Sequence, residues 1–279
     1  MPDLVVQPSQ PLATTSVLSD EDREALRGAV RALERPSFAA RLANLVGKPL
    51  EIVGHALPGP VRDAVSGAVE AALKASLRVA LTTLPKQHAT SHRALHRGLA
   101  AASGAVGGAL GLATLPLELP VSTTLMLRAI AEIARAEGED LSDPEAALAC
   151  LQVFALGGRS ESDNLAESGY FAVRSALAKS VSEAARYVTE RGLAEGAPAF
   201  VRLVAQIAAR FGVVVSQKVA AQAVPIVGAI GGAAVNAAFM NHFEAMARGH
   251  FAVRRLERAY GKEPVHLAYD AIRREEGLA

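Results

Sequence analysis

The 279-residue sequence contains no tryptophan, and aromatic residues make up only 4% of it. Apolar residues nevertheless account for 51%, so a core must be built mainly from alanine, valine and leucine. Such small side chains favour closely spaced helices. The sequence also lacks segments of strict apolar and polar alternation, which would indicate half-buried strands. These features predict an all-α protein, a single large domain of about eight to ten helices.

The sequence also has little net charge and almost no cysteine. The net charge is +1, and acidic and basic residues are interleaved, a balance that gives no electrostatic footprint for nucleic acid. Cys150 is the only cysteine, which excludes an intrachain disulfide framework and suits a reducing compartment. The first residues lack the basic and apolar regions of a secretory signal. We therefore expect a cytoplasmic protein that does not bind nucleic acid.

The common catalytic motifs are absent too. The sequence contains no G-x-x-x-x-G-K-[ST], no H-E-x-x-H and no G-x-S-x-G motif. Its glycine runs lack the G-x-G-x-x-G spacing of a dinucleotide-binding loop. The sequence therefore carries no motif of a nucleotide-binding protein, a zinc protease or a serine hydrolase, and we expect no cofactor.

The chain has one predicted boundary. Residues 1–18 combine prolines with serine, threonine and glutamine and are predicted to be a disordered lead-in. Residues 19–279 then form the single helical domain. Ser19, followed by three acidic residues, is a helix start signal, and so is the string Ser142–Glu145, in which an oxygen cap precedes a proline.

The longest predicted helix runs from Gly228 to Tyr260. Steps of three and four residues connect a series of small and apolar side chains, with a period of roughly 3.5 that is typical of a helix with one packing seam. Gly261 is expected to end this helix. The seam consists of Gly228, Gly232, Val235, Phe239, His242, Met246, Gly249, Val253, Leu256 and Tyr260.

Two long runs carry no charged residue. They are residues 98–117, a run of 20, and residues 219–243, a run of 25. Both could cross a hydrocarbon core of about 30 Å, but both are rich in small residues, mainly glycine and alanine, and each is interrupted or bounded by proline. Two interpretations remain open: buried helices packed against each other, which we expect, or elements that enter or lie on a membrane. Pro116 and Pro120 are expected to separate the first run from the next helix.

A short glycine pattern occurs twice, as GAVGGA at residues 104–109 and GAIGGA at residues 228–233. In each copy two glycines are four residues apart and therefore lie on one helix face. Glycine costs roughly 1 kcal/mol relative to alanine inside a helix, so such clusters need a packing reason. We predict that the two central Gly/Ala-rich helices contact each other at Gly104, Gly108, Gly228 and Gly232.

Several longer strings follow one another in an order that is recognisable from a known family. They are LELPVSTTLMLRAIAEIAR at 117–135, EGEDLSDP at 137–144, CLQVFALGG at 150–158, VSQKVAAQAVP at 215–225, HF at 242–243, ARGHF at 247–251, RRLE at 254–257 and YG at 260–261. Together they resemble the EcsC family, over roughly residues 60–262. That family takes its name from a bacterial protein encoded beside an ABC transporter. The resemblance implies no particular biochemical activity and supplies no catalytic residue; the origin of the name is consistent with a transporter-associated partner.

Three histidines, His88, His92 and His96, are each four residues apart. On one continuous helix they would share a face, and a pair at i and i+4 can bind zinc. However, Pro85 precedes them, and no carboxylate or thiol lies in this segment to complete a ligand set. We expect solvated histidines and no metal, with His92 and His96 as the alternative zinc-binding pair.

A candidate polar pocket combines residues from two predicted helices. His242 lies on the apolar seam, where a buried imidazole needs hydrogen-bonding partners. Glu118, Arg128 and Glu132 belong to another helix of the resemblance and could meet it. Two interpretations remain open: a core histidine satisfied locally, or a pocket of these four residues that binds a ligand head group or performs acid–base chemistry.

Two hypotheses of function follow, from different classes. The first is a non-enzymatic helical protein that binds a membrane surface, a lipid or a transporter-associated membrane protein, as a peripheral protein at the inner face of the membrane. The alternative is a hydrolase-type enzyme that uses a buried His/Glu/Arg pocket, with or without zinc. We favour the first, because the sequence has long uncharged runs and no catalytic motif.

Overall fold

The structure, a computed structural model, describes residues 18–34, 38, 42, 58–86, 115–157, 169–194, 196–222 and 228–278. In these ranges the chain forms eight α-helices and no strand, so the all-α prediction is confirmed. A 3₁₀ turn, Leu84–Lys86, follows the second helix. The helices are α1 (Asp20–Glu34), α2 (Gly59–Thr82), α3 (Leu115–Ala136), α4 (Pro144–Leu156), α5 (Gly169–Arg191), α6 (Pro198–Gln222), α7 (Gly228–Tyr260) and α8 (Lys262–Glu275).

Capping residues set several helix ends. The Ser19 hydroxyl accepts a hydrogen bond from the backbone N–H of Asp22 at 3.1 Å and so begins α1. The Asp143 carboxylate accepts one from the N–H of Glu145 at 2.9 Å and begins α4. Gly261, with φ +88°, adopts a left-handed conformation that ends α7. These three ends were predicted from the sequence and are confirmed.

The predicted break at Pro120 is wrong, because α3 continues through that proline. The predicted break at Pro116 stays a prediction, because α3 begins at Leu115 and the residues before it lie outside the described part. Pro116 is the second residue of the helix, where the backbone N–H would have no helical partner in any case. Pro120 removes a single helical hydrogen bond. Burial of Leu115 and Leu119 in the core holds this turn in the helix.

The helix α7 is the spine of the fold. Its 33 residues extend over about 50 Å. Its first half packs against α3, α4 and α6, and its second half packs against α1 and α8. The predicted seam is confirmed in the described part, where its buried members are Val235, Phe239, His242, Met246, Gly249, Val253 and Leu256.

Two hydrophobic cores lie along α7. The larger contains a cluster of four phenylalanine rings with centroids between 5.0 and 6.0 Å apart, so the few aromatic residues are concentrated at one place. Those rings belong to Phe154, Phe211, Phe239 and Phe243. The smaller core joins α1, α7 and α8 around Leu26, Val253 and Tyr269, and also buries Leu18.

Several predictions lie wholly or partly outside the described residues. Gly104, Gly108 and the histidines at positions 88, 92 and 96 are among them. Gly228 and Gly232 begin α7, but their surroundings are not described. The glycine contact, the packing of the two uncharged runs and the zinc alternative therefore stay predictions, as does the lead-in.

The approach of α1 to α7 gives a test of close packing. A Cβ atom at Gly249 would lie 2.8 Å from Cγ of Leu33 and 3.2 Å from the carbonyl oxygen of Ala29. Gly249→Ala should therefore force the two helices apart and lower the free energy of unfolding by about 1–3 kcal/mol. Denaturant unfolding measures this change.

The control is Gly28→Ala on the exposed side of α1, where nothing lies within 4 Å of the added atom. This change should stabilise the protein by roughly 0.5–1 kcal/mol, because alanine is the better helix former. Equal stabilisation by both substitutions would contradict the proposed close approach.

Candidate functional site

A groove runs along the outside of the molecule between α2 and α6. It encloses about 410 Å³, a volume within the range of roughly 300–1,000 Å³ that is usual for small-molecule sites. Its floor and the α6 wall are apolar, with Leu77, Phe200 and Val204 among the lining residues. The opposite edge, on α2, is polar and carries Ser66, Glu70 and Lys74. The groove is thus amphipathic.

An exposed stripe of small apolar residues borders this groove. Val201, Ala205, Ala209 and Val213 recur every fourth residue along α6 and are all exposed, with Val201 at 53% and Val213 at 38%. The helix contains no acidic residue. A helix face of this kind is unusual on a protein surface that contacts only water.

A buried ion pair joins the C-terminal part of α6 to the start of α3. The Lys218 ammonium donates to the Glu118 carboxylate at 2.7 Å, and the side chains are 0% and 6% exposed. The ammonium also lies 5.0 Å from the ring centroid of Phe239. Burial lowers the pKa of Lys218 in spite of the nearby carboxylate.

The structure assigns local partners to two residues of the predicted pocket. Glu118 pairs with Lys218, and Nε2 of His242 donates to the carbonyl oxygen of Gly157 at 3.2 Å. His242 is 3% exposed, as expected of a core histidine. Arg128 and Glu132 are half-buried on α3. A common pocket of the four residues stays a prediction.

A second, polar cleft lies at the C-terminal end of α7, between α4, α5 and the turn after α3. It encloses about 510 Å³. Arg174 and Glu257 form a two-point ion pair at 2.8 and 2.9 Å. Glu139 accepts two hydrogen bonds from Arg254, both at 2.9 Å, and pairs with Arg258 as well.

Apart from Arg258, whose side chain is 43% exposed, these charged side chains are largely removed from water. Burial alone would raise the pKa of Glu139, but the hydrogen bonds and charges of Arg254 and Arg258 outweigh it and hold that pKa below its ordinary value. The carboxylate therefore stays ionised. The arrangement fixes three guanidinium groups, including Arg174, around two carboxylates.

Behind the cleft, a hydrogen-bonded chain reaches the smaller core. Arg174 donates to the Tyr170 hydroxyl at 3.2 Å, and that hydroxyl lies 3.0 Å from Nδ1 of His250. The hydroxyl oxygen already accepts a hydrogen bond from Arg174, so the hydroxyl donates its own proton to Nδ1. The single N–H proton of the neutral imidazole is then on Nε2. Nε2 of His250 is buried and has no hydrogen-bonding partner in the described part of the chain. Burial, and next the charges of Arg174 and Arg254, lower the pKa of His250 well below its ordinary value.

Comparison with known families identifies the chain. The model of the EcsC protein family matches residues 21–256, most of the sequence. The chain belongs to the EcsC family. No curated protein and no solved structure matches it significantly.

The EcsC match begins earlier than the sequence strings indicated. They placed the start near residue 60, whereas the family model begins at residue 21 and so includes α1. The structure gives a physical reason, since α1 covers the second half of α7 and supplies Leu26, Ala29 and Val30 to the smaller core. The helix is part of the domain.

The described part of this EcsC protein offers little for metal or thiol chemistry. No group of three or more His, Cys, Asp and Glu side chains there is placed to hold a metal ion. Cys150 is buried, and burial raises the pKa of its thiol to about 12. A thiol with such a pKa stays protonated and is a poor nucleophile.

The length and hydropathy of the helices bear on whether any of them could span a membrane. Of the described helices, one, α6, is long and apolar enough to cross a membrane, and 44% of its most apolar 18-residue window is buried. Core helices of soluble proteins have the same composition, so this finding alone is weak evidence for a span.

Sequence reasoning missed most of these side chains. Lys218 could have been found, because it is a lone charge in an otherwise apolar stretch of α6. Such a residue needs a buried partner. The cleft residues Glu139, Arg254 and Glu257 occur in the strings that resemble the EcsC family. Their spacing does not indicate that Glu139 and Arg254, which are 115 residues apart, form an ion pair.

The buried ion pair can be tested by a double-mutant cycle. Glu118→Leu alone leaves the Lys218 charge buried without its partner and should cost about 3–5 kcal/mol of unfolding free energy. Adding Lys218→Met should recover most of that loss, because the pair is then replaced by apolar groups. If the double variant is as unstable as the sum of the single ones, the two side chains do not form the pair.

The buried imidazole predicts a pH dependence. The unfolded chain protonates His250 near pH 6.5, whereas the folded protein resists protonation there. Below pH 6.5 the unfolded state therefore binds more protons, and stability falls by up to about 1.4 kcal/mol per pH unit. His250→Asn keeps an acceptor for the Tyr170 hydroxyl and should remove this contribution.

Unfolding free energies measured between pH 7 and pH 5 check the prediction. His266→Asn, at a half-exposed position on α8, is the matched control and should keep the wild-type slope. An unchanged slope in His250→Asn would show that this imidazole does not supply the pH dependence.

Proposed function

We propose that this EcsC protein is a non-enzymatic, peripheral membrane protein that binds lipid through the exposed face of α6 and the groove beside it. The observation that carries the proposal is the stripe of Val201, Ala205, Ala209 and Val213 on a helix without acidic residues. A membrane surface accepts such a face because exposed apolar area leaves water when it enters the acyl region.

The shape of the groove supports a lipid chain as its occupant. Phe200 and Val204 line an apolar wall along which a hydrocarbon chain can lie. On the opposite edge, Glu70 and Lys74 form an exposed ion pair at 2.5 Å, where a polar headgroup can stay in water. The match between one apolar and one polar wall favours an amphipathic ligand.

The charges on α6 favour attachment to a membrane through apolar contacts and not through ion pairs with lipid headgroups. The helix α6 has three basic residues. Arg202 pairs with Glu183 at 2.6 Å, Lys218 is buried against Glu118, and Arg210 also has an interaction partner. Strong binding to anionic lipid uses clusters of exposed lysine and arginine. The proposed contact should therefore depend little on salt and on the charge of the lipid.

The alternative of a hydrolase has less support. The carboxylate of Glu118 is engaged by Lys218, and His242 donates to a backbone carbonyl group and packs against Phe38. Catalytic groups of this kind need access to substrate. Both side chains lie in the core.

Flotation with liposomes tests the proposal. Wild-type protein should float with phosphatidylcholine vesicles and should remain bound when the salt concentration is raised. Val201→Glu and Val213→Glu should each weaken the binding, because a carboxylate would have to enter the apolar layer. Both positions are exposed, so the fold should be retained.

Two further variants sharpen the result. Leu267→Glu is the matched control. The Leu267 side chain is 64% exposed, but it belongs to α8 and does not line the groove, so this variant should bind like wild type. Ala208→Trp should fill the groove and block a fluorescent single-chain lipid without adding charge. Equal flotation of all variants, or no flotation of the wild-type protein, would rule the proposal out and favour a protein partner.

A further inference from the structure

The groove between α2 and α6 has the dimensions of one acyl chain. Its lining residues on α6 run from Phe200 to Gly212, a distance of about 18 Å at roughly 1.5 Å per residue. The hydrocarbon layer of one bilayer leaflet is about 15 Å thick, half of the usual core. The enclosed volume of about 410 Å³ holds roughly 14 methylene groups if each takes the ~30 Å³ of a water molecule. Length and volume therefore fit one chain and not the two chains of an ordinary membrane phospholipid.

The α6 wall of the groove accepts such a chain without rearrangement. All of the described α6 residues that line the groove are apolar or glycine. Val204 is only 7% exposed and so forms part of the floor. A Cβ atom added at Gly212 would meet nothing within 4 Å, which shows that the groove is open there. Each methylene group that leaves water against this wall favours binding.

The rim of the groove on α2 carries one charge of each sign. Among the described residues that line the groove, the charged ones are Glu70 and Lys74. They are one helical turn apart, and Nζ of Lys74 lies 2.5 Å from Oε1 of Glu70. Their side chains are 57% and 52% exposed, so a ligand can reach both charges from the solvent side.

This pair of charges discriminates between headgroups. A carboxylate or phosphate that approaches Lys74 also approaches the Glu70 carboxylate, and the like charges repel each other. A zwitterionic headgroup avoids the conflict, because its phosphate accepts from the Lys74 ammonium while its own ammonium group donates to Glu70. Such charge-assisted hydrogen bonds are stronger than those between neutral groups. The rim is therefore complementary to a headgroup that carries both signs.

We propose that the groove binds a single-chain phospholipid with a zwitterionic headgroup. The acyl chain lies along the apolar wall of α6, the phosphate contacts Lys74 and the ammonium group contacts Glu70. This inference rests on the lipid binding proposed above and names the class of lipid that the groove takes up. The selectivity belongs to the groove and not to the contact of the exposed α6 face with a vesicle, which needs no particular headgroup.

The test is isothermal titration calorimetry at low ionic strength, with the protein titrated into lipid below its micelle-forming concentration. One probe is myristoyl lysophosphatidylethanolamine, which is zwitterionic. The other is myristoyl lysophosphatidic acid, which has the same chain and phosphate but no ammonium group. Wild-type protein should bind the first saturably, one molecule per chain, and the second about fivefold more weakly, the size expected of an exposed charge pair.

Three variants separate the headgroup from the chain. Glu70→Gln should abolish the preference, because the ammonium group loses its partner and the anionic lipid is no longer repelled. Gly212→Leu fills part of the groove without a clash at Cβ, so it should weaken both lipids alike and leave their ratio unchanged. Lys179→Gln is the matched control: this exposed lysine forms the same kind of pair with Glu183 on α5 but does not line the groove, and the variant should bind like wild type.

Equal or tighter binding of lysophosphatidic acid by the wild-type protein would overturn the inference, and so would an unchanged preference in Glu70→Gln. Absence of saturable binding of both lipids would overturn it as well. Its failure can be told apart from failure of the proposed function. Wild-type protein that floats with vesicles but binds neither probe retains the membrane contact and loses this inference. Saturable, selective binding of the zwitterionic probe without flotation gives the reverse result.

Discussion

Close approach of other segments to α7 is the constraint on which the rest of the structure depends. A Cβ atom at Gly157 would lie 2.6 Å from Nε2 of His242, and one at Gly249 would lie 2.8 Å from Leu33. Glycine at position 157 lets the end of α4 lie directly against α7. Glycine at position 249 lets α1 pack directly against α7. The first contact also brings the carbonyl oxygen of Gly157 within reach of a buried imidazole. A chain without tryptophan thus obtains a dense core through short distances between backbones.

Because the helices pack so closely, buried charges are tolerated only where a partner is within reach. Lys218 meets Glu118, Glu139 meets two arginines, and the Tyr269 hydroxyl donates to Glu34 at 2.9 Å. Most of the buried ionic groups lie around the C-terminal half of α7. The exposed face of α6, in contrast, presents a row of small apolar residues. The molecule therefore has two chemically different surfaces, an apolar face on α6 and a charged cleft at the C-terminal end of α7.

The architecture follows from local features that a sequence displays. The seam of α7, the cap at Asp143 and the end at Gly261 each depend on neighbouring residues, so they could be predicted. Pro120 was misjudged because the packing of Leu119 outweighs one lost hydrogen bond. The site residues depend on contacts between distant segments, such as Arg174 with Glu257 and Glu139 with Arg254. No local pattern specifies such pairs.

The central claim, that α6 is the lipid-binding face, can be measured directly with a fluorescent probe. Cys150 is the only cysteine and is buried with a protonated thiol, so a cysteine introduced by Ala205→Cys can be labelled selectively with an environment-sensitive dye. Addition of phosphatidylcholine vesicles should increase the emission and shift it to the blue, while a dye attached through Leu267→Cys should not respond. An unchanged spectrum at position 205, with vesicles in excess, would contradict the account.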